Sequence, residues 1–297
     1  MPAPRSPRTP LAVLVALLVA LTGLVAPSAS AHGSPGHRHR HVHGSYLALG
    51  DSVPFGYRPA GATPTPNYLD PTSLVGYPSY VGHRLRLRVA NATCPGETTA
   101  SLMTPGAQSN GCENSLDSPV GYRTAYPLHV DYTGTQLAYA LRYLRTHHRT
   151  RLVTLMVGAN DLFLCQRTNA DQCTGADFLA TVAQVRANVD DILGALRRHY
   201  HRRLVVVTYY SLDYGDAAAT AAIAALDGAL ASAATAHHAV VADGFGAFQR
   251  ATAAYGGDAC AAGLLVPLAD GTCDVHPTAK GHHVLARAVL RAVRHRR

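Results

Sequence analysis

Residues 46–52 read Tyr46-Leu47-Ala48-Leu49-Gly50-Asp51-Ser52. Four apolar residues in a row end on a glycine and two small polar residues, the pattern of a strand buried on both faces that stops at a turn. Three later runs have the same character: Leu152 to Val157 (LVTLMV), Leu204 to Tyr209 (LVVVTY) and Ala239 to Ala242 (AVVA). Helical spacing of apolar residues marks Thr135 to His148, Asp177 to Tyr200 and Asp216 to His238, and a last stretch from about Thr278 to Arg294 in which Leu285, Val289 and Val293 share a face. Strand then helix, repeated, predicts an α/β fold of three layers, α/β/α, around a central, mainly parallel sheet. Neither a repeat nor a linker follows Gly44, so residues 45–297 are expected to form one domain. The Pro-, Gly-, Ser- and Thr-rich stretches 57–77 and 105–127 read as long loops over the C-terminal edge of the sheet, where open α/β sheets bind ligands.

Composition narrows the class. Of 297 residues 47% are hydrophobic, enough to bury a core, which excludes wholesale disorder, and 26 Gly with 18 Pro are too few for a fibrous chain. The 26 basic side chains outnumber the 18 acidic ones, but they are scattered through helical stretches without interleaved aromatics, so no nucleic-acid partner is expected. Arg5 and Arg8 precede the apolar stretch Leu11 to Val25, and Ala29-Ser30-Ala31 offers a small-residue cleavage pattern, so residues 1–31 read as a signal peptide. That stretch is short of the roughly 20 residues a spanning helix needs. No later segment reads as apolar enough to cross a bilayer, and a secreted, extracellular monomer without stable membrane insertion is expected. Residues 32–44 (HGSPGHRHRHVHG) form a His-rich lead that cannot bury a core and is expected to be disordered. Its imidazoles are metal-binding groups, but nothing supplies a second ligand cluster to fix a geometry.

Export makes the cysteines legible. Cys94, Cys112, Cys165, Cys173, Cys260 and Cys273 are an even set without a Cys-x-x-Cys pair, so disulfides are the reading. Six cysteines allow 15 connectivities. They fall into local couples, 94 with 112, 165 with 173 and 260 with 273, and short loops close at the lowest entropic cost, which favours nearest-neighbour pairing.

Four short blocks carry chemistry. Ser52 emerges at the end of the first strand on a turn that Gly50 and Gly56 leave open; alone, Gly50-Asp51-Ser52 reads equally as a helix cap. Asp274-Val275-His276-Pro277 sits just before the last helix, where His276 can reach the same sheet edge as a general base. Gly158-Ala159-Asn160-Asp161 follows the strand LVTLMV and brings an uncharged amide donor to that edge. The turn Cys94-Pro95-Gly96-Glu97-Thr98-Thr99 offers a backbone N–H at Gly96 that a ligand can approach closely. No Gly-x-Ser-x-Gly elbow, P-loop, dinucleotide fingerprint or His-Glu-x-x-His helix is present, and no cofactor or metal is called for.

In these blocks and their order the chain resembles the GDSL, or SGNH, hydrolase family, over Leu47 to about Ala286. The six cysteines further resemble the secreted actinobacterial lipases and esterases of that family. The resemblance implies a flavodoxin-like SGNH fold and a serine esterase or lipase hydrolysing small-molecule or lipid esters through an acyl-enzyme. Ser52 would be the nucleophile, His276 the base, and Ser52, Gly96 and Asn160 the oxyanion hole. Val53 replaces the Leu of the name motif, a conservative change. The family usually places its triad Asp three residues before the His, where this chain has Cys273. The acid here is Asp274, two before, and neighbouring side chains in extended chain differ in direction. Asp274, the backbone carbonyl of Cys273, which some members use at that position, and Asp270 all stand as candidates to orient His276. Cys94, Cys165 and Cys273 each lie close to a catalytic block, so the expected bridges would pin those loops. The alternatives are a carbohydrate acetyl esterase, a phospholipase or a thioesterase of the same fold, and a non-catalytic secreted protein that binds metal or carbohydrate.

Overall fold

All six residues of β1 (Ser45–Gly50) are buried, as a strand covered on both faces must be. The computed structural model describes residues 44–294, so the signal peptide and all of the His-rich lead except Gly44 lie outside the described residues. β2 (Arg88–Asn91), β3 (Thr150–Met156), β4 (Arg203–Val207) and β5 (Val240–Ala242) complete a parallel sheet of order β2-β1-β3-β4-β5. Leu47 faces Ala90 on one side and Val153 on the other. This is the doubly wound, flavodoxin-like order, and its direction reverses between β1 and β3, which opens a crevice at their C-terminal ends.

The helices form the outer layers. A one-turn α1 (Ser52–Phe55) follows β1, and α2 (Tyr77–Leu85), α3 (Thr99–Met103), α4 (Tyr122–Ala125), α5 (Gln136–Thr146) and α6 (Ala159–Thr168) lie in the connections up to and just beyond β3. α7 (Gly175–Arg197) packs on α8 (Ala217–Ala236) and α5. α10 (Ala279–Arg294) packs on α2 and on α9 (Gly244–Thr252) and reaches β4 and β5. The predicted spacing holds: Val185, Val189, Ile192 and Leu196 of α7 and Leu285, Val289 and Val293 of α10 are buried.

One expectation needs correcting. α8 is long and apolar enough, by length and composition, to cross a bilayer, contrary to the reading that no later segment is. It is instead a core helix on one side, with Leu226, Leu230, Ala233 and Ala234 buried against α7, β4 and β5. Its alanine-rich composition, small side chains on both faces, raises the hydropathy without a second buried face.

Unforeseen in the sequence is a hairpin of β6 (Leu265–Pro267) and β7 (Cys273–Pro277), antiparallel and separate from the main sheet, which leads directly into α10. Disulfides Cys94–Cys112, Cys165–Cys173 and Cys260–Cys273 join the local couples, with Cα–Cα distances of 5.6, 5.3 and 5.7 Å.

Candidate active site

β1 delivers Ser52 to the crevice. At Gly50 φ is +135°, and a Cβ there would stand 1.9 Å from the Met156 carbonyl oxygen, so only glycine lets the chain leave the strand this way. Asp51 caps α1: its Oδ1 accepts from the Val53 N–H at 3.0 Å and its Oδ2 from the Tyr209 hydroxyl. Burial pushes the Asp51 carboxyl up to about 6, opposed by those two hydrogen bonds. Ser52 therefore begins a helical turn, where its own N–H has no helical acceptor and is available to a ligand.

His276 arrives on β7. Its Nε2 is 2.8 Å from Ser52 Oγ, and its Nδ1 is hydrogen-bonded to Asp274 Oδ1. The same Asp274 oxygen accepts the His276 backbone N–H at 3.0 Å. This Asx turn folds the carboxylate back onto the residue two ahead, and so overcomes the alternation that makes that spacing unpromising in extended chain. Burial would raise the Asp274 carboxyl, but the bond to the His276 ring and the charge of that ring hold it below the usual range. The other two candidates are placed elsewhere. Asp270 is exposed and accepts from Thr272 N–H and Oγ1 at 2.9 and 2.6 Å, and the Cys273 carbonyl is not among the hydrogen-bond partners of His276. The Tyr57 ring packs edge-on against the imidazole, centroids 5.0 Å apart.

Opposite the histidine stand the amide donors. Gly96 has φ +81°, and a Cβ would lie 2.5 Å from the Asn110 carbonyl oxygen. Asn160, in the first turn of α6, donates one amide hydrogen to the Glu97 carbonyl at 3.0 Å, and its Oδ1 accepts from Asn110 Nδ2 at 3.0 Å. A primary amide has two hydrogens, and no second acceptor for Asn160 Nδ2 is found among the described residues. Asp161, next in the chain, ties α6 to α3 by accepting from Thr99 N–H and Oγ1 at 3.0 and 2.5 Å.

A further residue joins the two halves of the site, and no local pattern marks it in the sequence. Gln136, at the start of α5, accepts from the Gly50 N–H at 2.5 Å and donates to the Gly50 carbonyl at 3.0 Å and to Glu97 Oε2 at 2.9 Å. The Ser52 turn and the Gly96-Glu97 turn are thus clamped by one side chain. Glu97 is buried, and desolvation pushes its carboxyl up to about 8 against hydrogen bonds from Ser101 and Gln136. It lies close to Cys94 and Cys112, but sulfurs joined in a disulfide offer no thiolate, so the trio lacks the donor set of a thiolate metal site.

These groups open onto a cleft of about 770 Å³. Beyond Asn160 its wall is mainly apolar, with Leu162, Phe163, Phe178, Ala222 and Ile223 set beside Gln166, Gln172, Thr174 and Asp216; on the histidine side it is formed by Tyr57, Tyr122 and Val275. A hydroxyl bonded to an imidazole, an orienting carboxylate and convergent N–H donors are the groups acyl transfer requires.

The sequence profile of the GDSL-like lipase/acylhydrolase family matches residues 48–284. Among solved structures the chain is similar to Axe2, an acetylxylan esterase from Geobacillus stearothermophilus, at 18% identity and a TM-score of 0.51, over 86% of this chain and 97% of that one. A catalytic mutant of the same enzyme matches at 17% identity and a TM-score of 0.53, over 84% and 94%. At such identities the likeness speaks to the fold. No curated protein sequence matches the chain.

Proposed function

The chain belongs to the GDSL-like lipase/acylhydrolase family and is a carboxylic ester hydrolase, and on that premise we propose that it is a secreted serine esterase for esters with apolar acyl chains. The observation that carries this reading is the 2.8 Å contact of Ser52 Oγ with His276 Nε2 in an apolar cleft. His276, oriented by Asp274, takes the Ser52 proton as Oγ attacks the ester carbonyl carbon. The oxyanion is held by the N–H groups of Ser52 and Gly96 and by the Asn160 amide. His276 then hands its proton to the departing alcohol as the C–O bond breaks, and activates the water that hydrolyses the acyl-enzyme and restores Ser52.

Secretion is supported by the signal-like segment 1–31 and by three disulfides, bonds that persist in oxidising compartments. The acetylxylan esterase acts on a two-carbon acyl group. The wall formed by Leu162, Phe163, Phe178 and Ile223 favours a longer one here, because each methylene buried contributes about 0.8 kcal/mol, roughly fourfold in kcat/KM.

The test is hydrolysis of p-nitrophenyl esters from acetyl to palmitoyl by the oxidised chain, with Ser52→Ala beside it. The expected result is a kcat/KM that rises beyond acetyl and a loss of turnover of about 10⁴-fold or more in the mutant. An optimum at acetyl would move the reading to a carbohydrate acetyl esterase. Absence of turnover in a folded, oxidised sample would favour the binding-protein alternative.

A further inference from the structure

Arginines and acids are sorted to opposite ends of the sheet. The segments that turn at the N-terminal ends of the strands are 83–88 (HRLRLR), 145–151 (RTHHRTR), 197–203 (RRHYHRR) and the end of α10, 291–294 (RAVR); they hold twelve arginines and no aspartate or glutamate. Acids instead gather at the other edge, where Asp51, Asp216 and Asp243 cap helices.

Strand register turns this list into a surface. Arg88 pairs with Ser45, Ser45 with Thr150 between Arg149 and Arg151, and Leu152 with Arg203. Neighbouring strands are about 4.8 Å apart, so the basic residues form a rank about 14 Å wide from β2 to β4. Arg151, His201, Arg202 and Arg203 also share, with Leu85, Leu87, Leu152 and Val293, the wall of a second cavity of about 750 Å³, and Arg149, Arg151 and Arg202 are exposed whereas the leucines and the valine are buried or partly buried. Compensation of helix dipoles accounts for arginines in the last turns of α2, α5, α7 and α10. It does not account for Arg88, Arg149, Arg151 and Arg202 at strand starts, because sheets carry little net dipole.

We infer that this N-terminal edge is a docking face for a linear phosphate polymer, held through its backbone charges. A bilayer fits poorly: stable binding there needs apolar side chains to bury beside the charge, and none of the exposed large hydrophobic residues among the described residues falls in these segments. Single-stranded nucleic acid is recognised chiefly by stacking on Phe, Tyr and Trp, and of these types the segments hold only Tyr200, which is buried. A flexible chain of phosphates requires charge alone. The face also lies a strand length from the cleft, about 20 Å along the seven residues of β3. A polymer-bound molecule would therefore keep Ser52 open to a soluble ester.

The experiment is fluorescence anisotropy of labelled linear polyphosphate with the full chain at pH 8, between 50 and 200 mM salt. Arg149→Glu/Arg151→Glu/Arg202→Glu should weaken binding at least tenfold and reduce the salt slope by about 2–3. Arg186→Glu/Arg250→Glu/Arg287→Glu alters net charge equally, away from the face, and should stay within twofold. Thermal melting and p-nitrophenyl acetate turnover report the fold of each. If the first triple melts early, Arg149→Gln/Arg202→Gln replaces it, with an expected loss of about threefold or more. Equal weakening by both triples, or no salt-dependent binding by the parent chain, overturns the docking face. Tighter binding at equal phosphate to phosphatidylglycerol vesicles or to single-stranded DNA overturns the choice of occupant.

Discussion

The two loops that meet at the candidate site are held to different degrees by the rest of the fold. The Ser52 turn grows out of a wholly buried central strand and is fixed by non-local hydrogen bonds, from Gln136 to Gly50 and from Tyr209 to Asp51. The His276 hairpin stands outside the main sheet. Four of the five residues of β7 are only partly buried, and its supports are a local Asx turn, the Cys260–Cys273 disulfide and a long-range hydrogen bond, from the Tyr210 hydroxyl to the Val275 carbonyl at 2.8 Å. Packing with several non-local hydrogen bonds fixes the Ser52 turn, and a covalent link, a short-range hydrogen bond and one tie from Tyr210 fix the His276 strand. The hairpin should therefore be the half that loosens first.

The largest effect expected on this contrast comes from Asp274→Asn, which removes the carboxylate that orients the ring. kcat should fall about 10³–10⁴-fold while thermal unfolding changes little. Asp270→Asn, on the exposed turn, should leave the rate within twofold, and equal losses in the two variants would contradict the assignment. Next comes Cys260→Ser/Cys273→Ser. Opening that bridge should remove about 2–4 kcal/mol of stability, read by urea denaturation, and lower kcat more than the matching Cys165/Cys173 pair does. Gln136→Leu strands the buried N–H of Gly50, whose carbonyl keeps the Cys94 N–H, and should cost about 1–3 kcal/mol. Its kcat should fall with KM nearly unchanged, and Gln136→Glu should recover less activity at pH 8 than at pH 5, because a second carboxylate then faces Glu97.

The smallest effect is a pH dependence. The Glu97 carboxyl is raised to about 8 by burial, so the folded protein binds a proton that the unfolded chain releases near 4.3, and stability falls as pH rises between those values. Glu97→Gln keeps the shape of the protonated acid and should raise the melting temperature at pH 8, with little change at pH 4. Asp274 works in the other sense. Its lowered carboxyl adds stability that is complete at neutral pH and is lost as pH falls through its folded value.

Legibility in the sequence followed the range of the interactions. β1, β3, β4 and β5 were readable because each is a continuous apolar run, and α5, α7, α8 and α10 because their spacing is helical. β2 was not: Arg88-Val89-Ala90-Asn91 has no pattern of its own and becomes a strand by pairing with β1. The hairpin was hidden for a similar reason, since β6 is three residues long and ends on Pro267. α2 was obscured by Pro78 and Gly82; the proline sits in the first turn, where it is tolerated, and the glycine makes room for Val89. The four blocks named from sequence meet at one sheet edge, but their supports could not be seen. Gln136 lies 86 residues from Gly50 and Tyr209 lies 158 from Asp51, and nothing local marks either partner. Spacing alone also left the partner of His276 open, because the Asx turn that brings Asp274 into place is a matter of backbone geometry.

The most direct measurement is mass spectrometry of the oxidised chain after exposure to diisopropyl fluorophosphate. An activated serine beside His276 predicts one phosphoryl adduct, on Ser52, forming in step with the loss of esterase activity and absent in His276→Ala. An active enzyme that stays unlabelled, or an adduct on another residue that tracks the loss, would contradict the account.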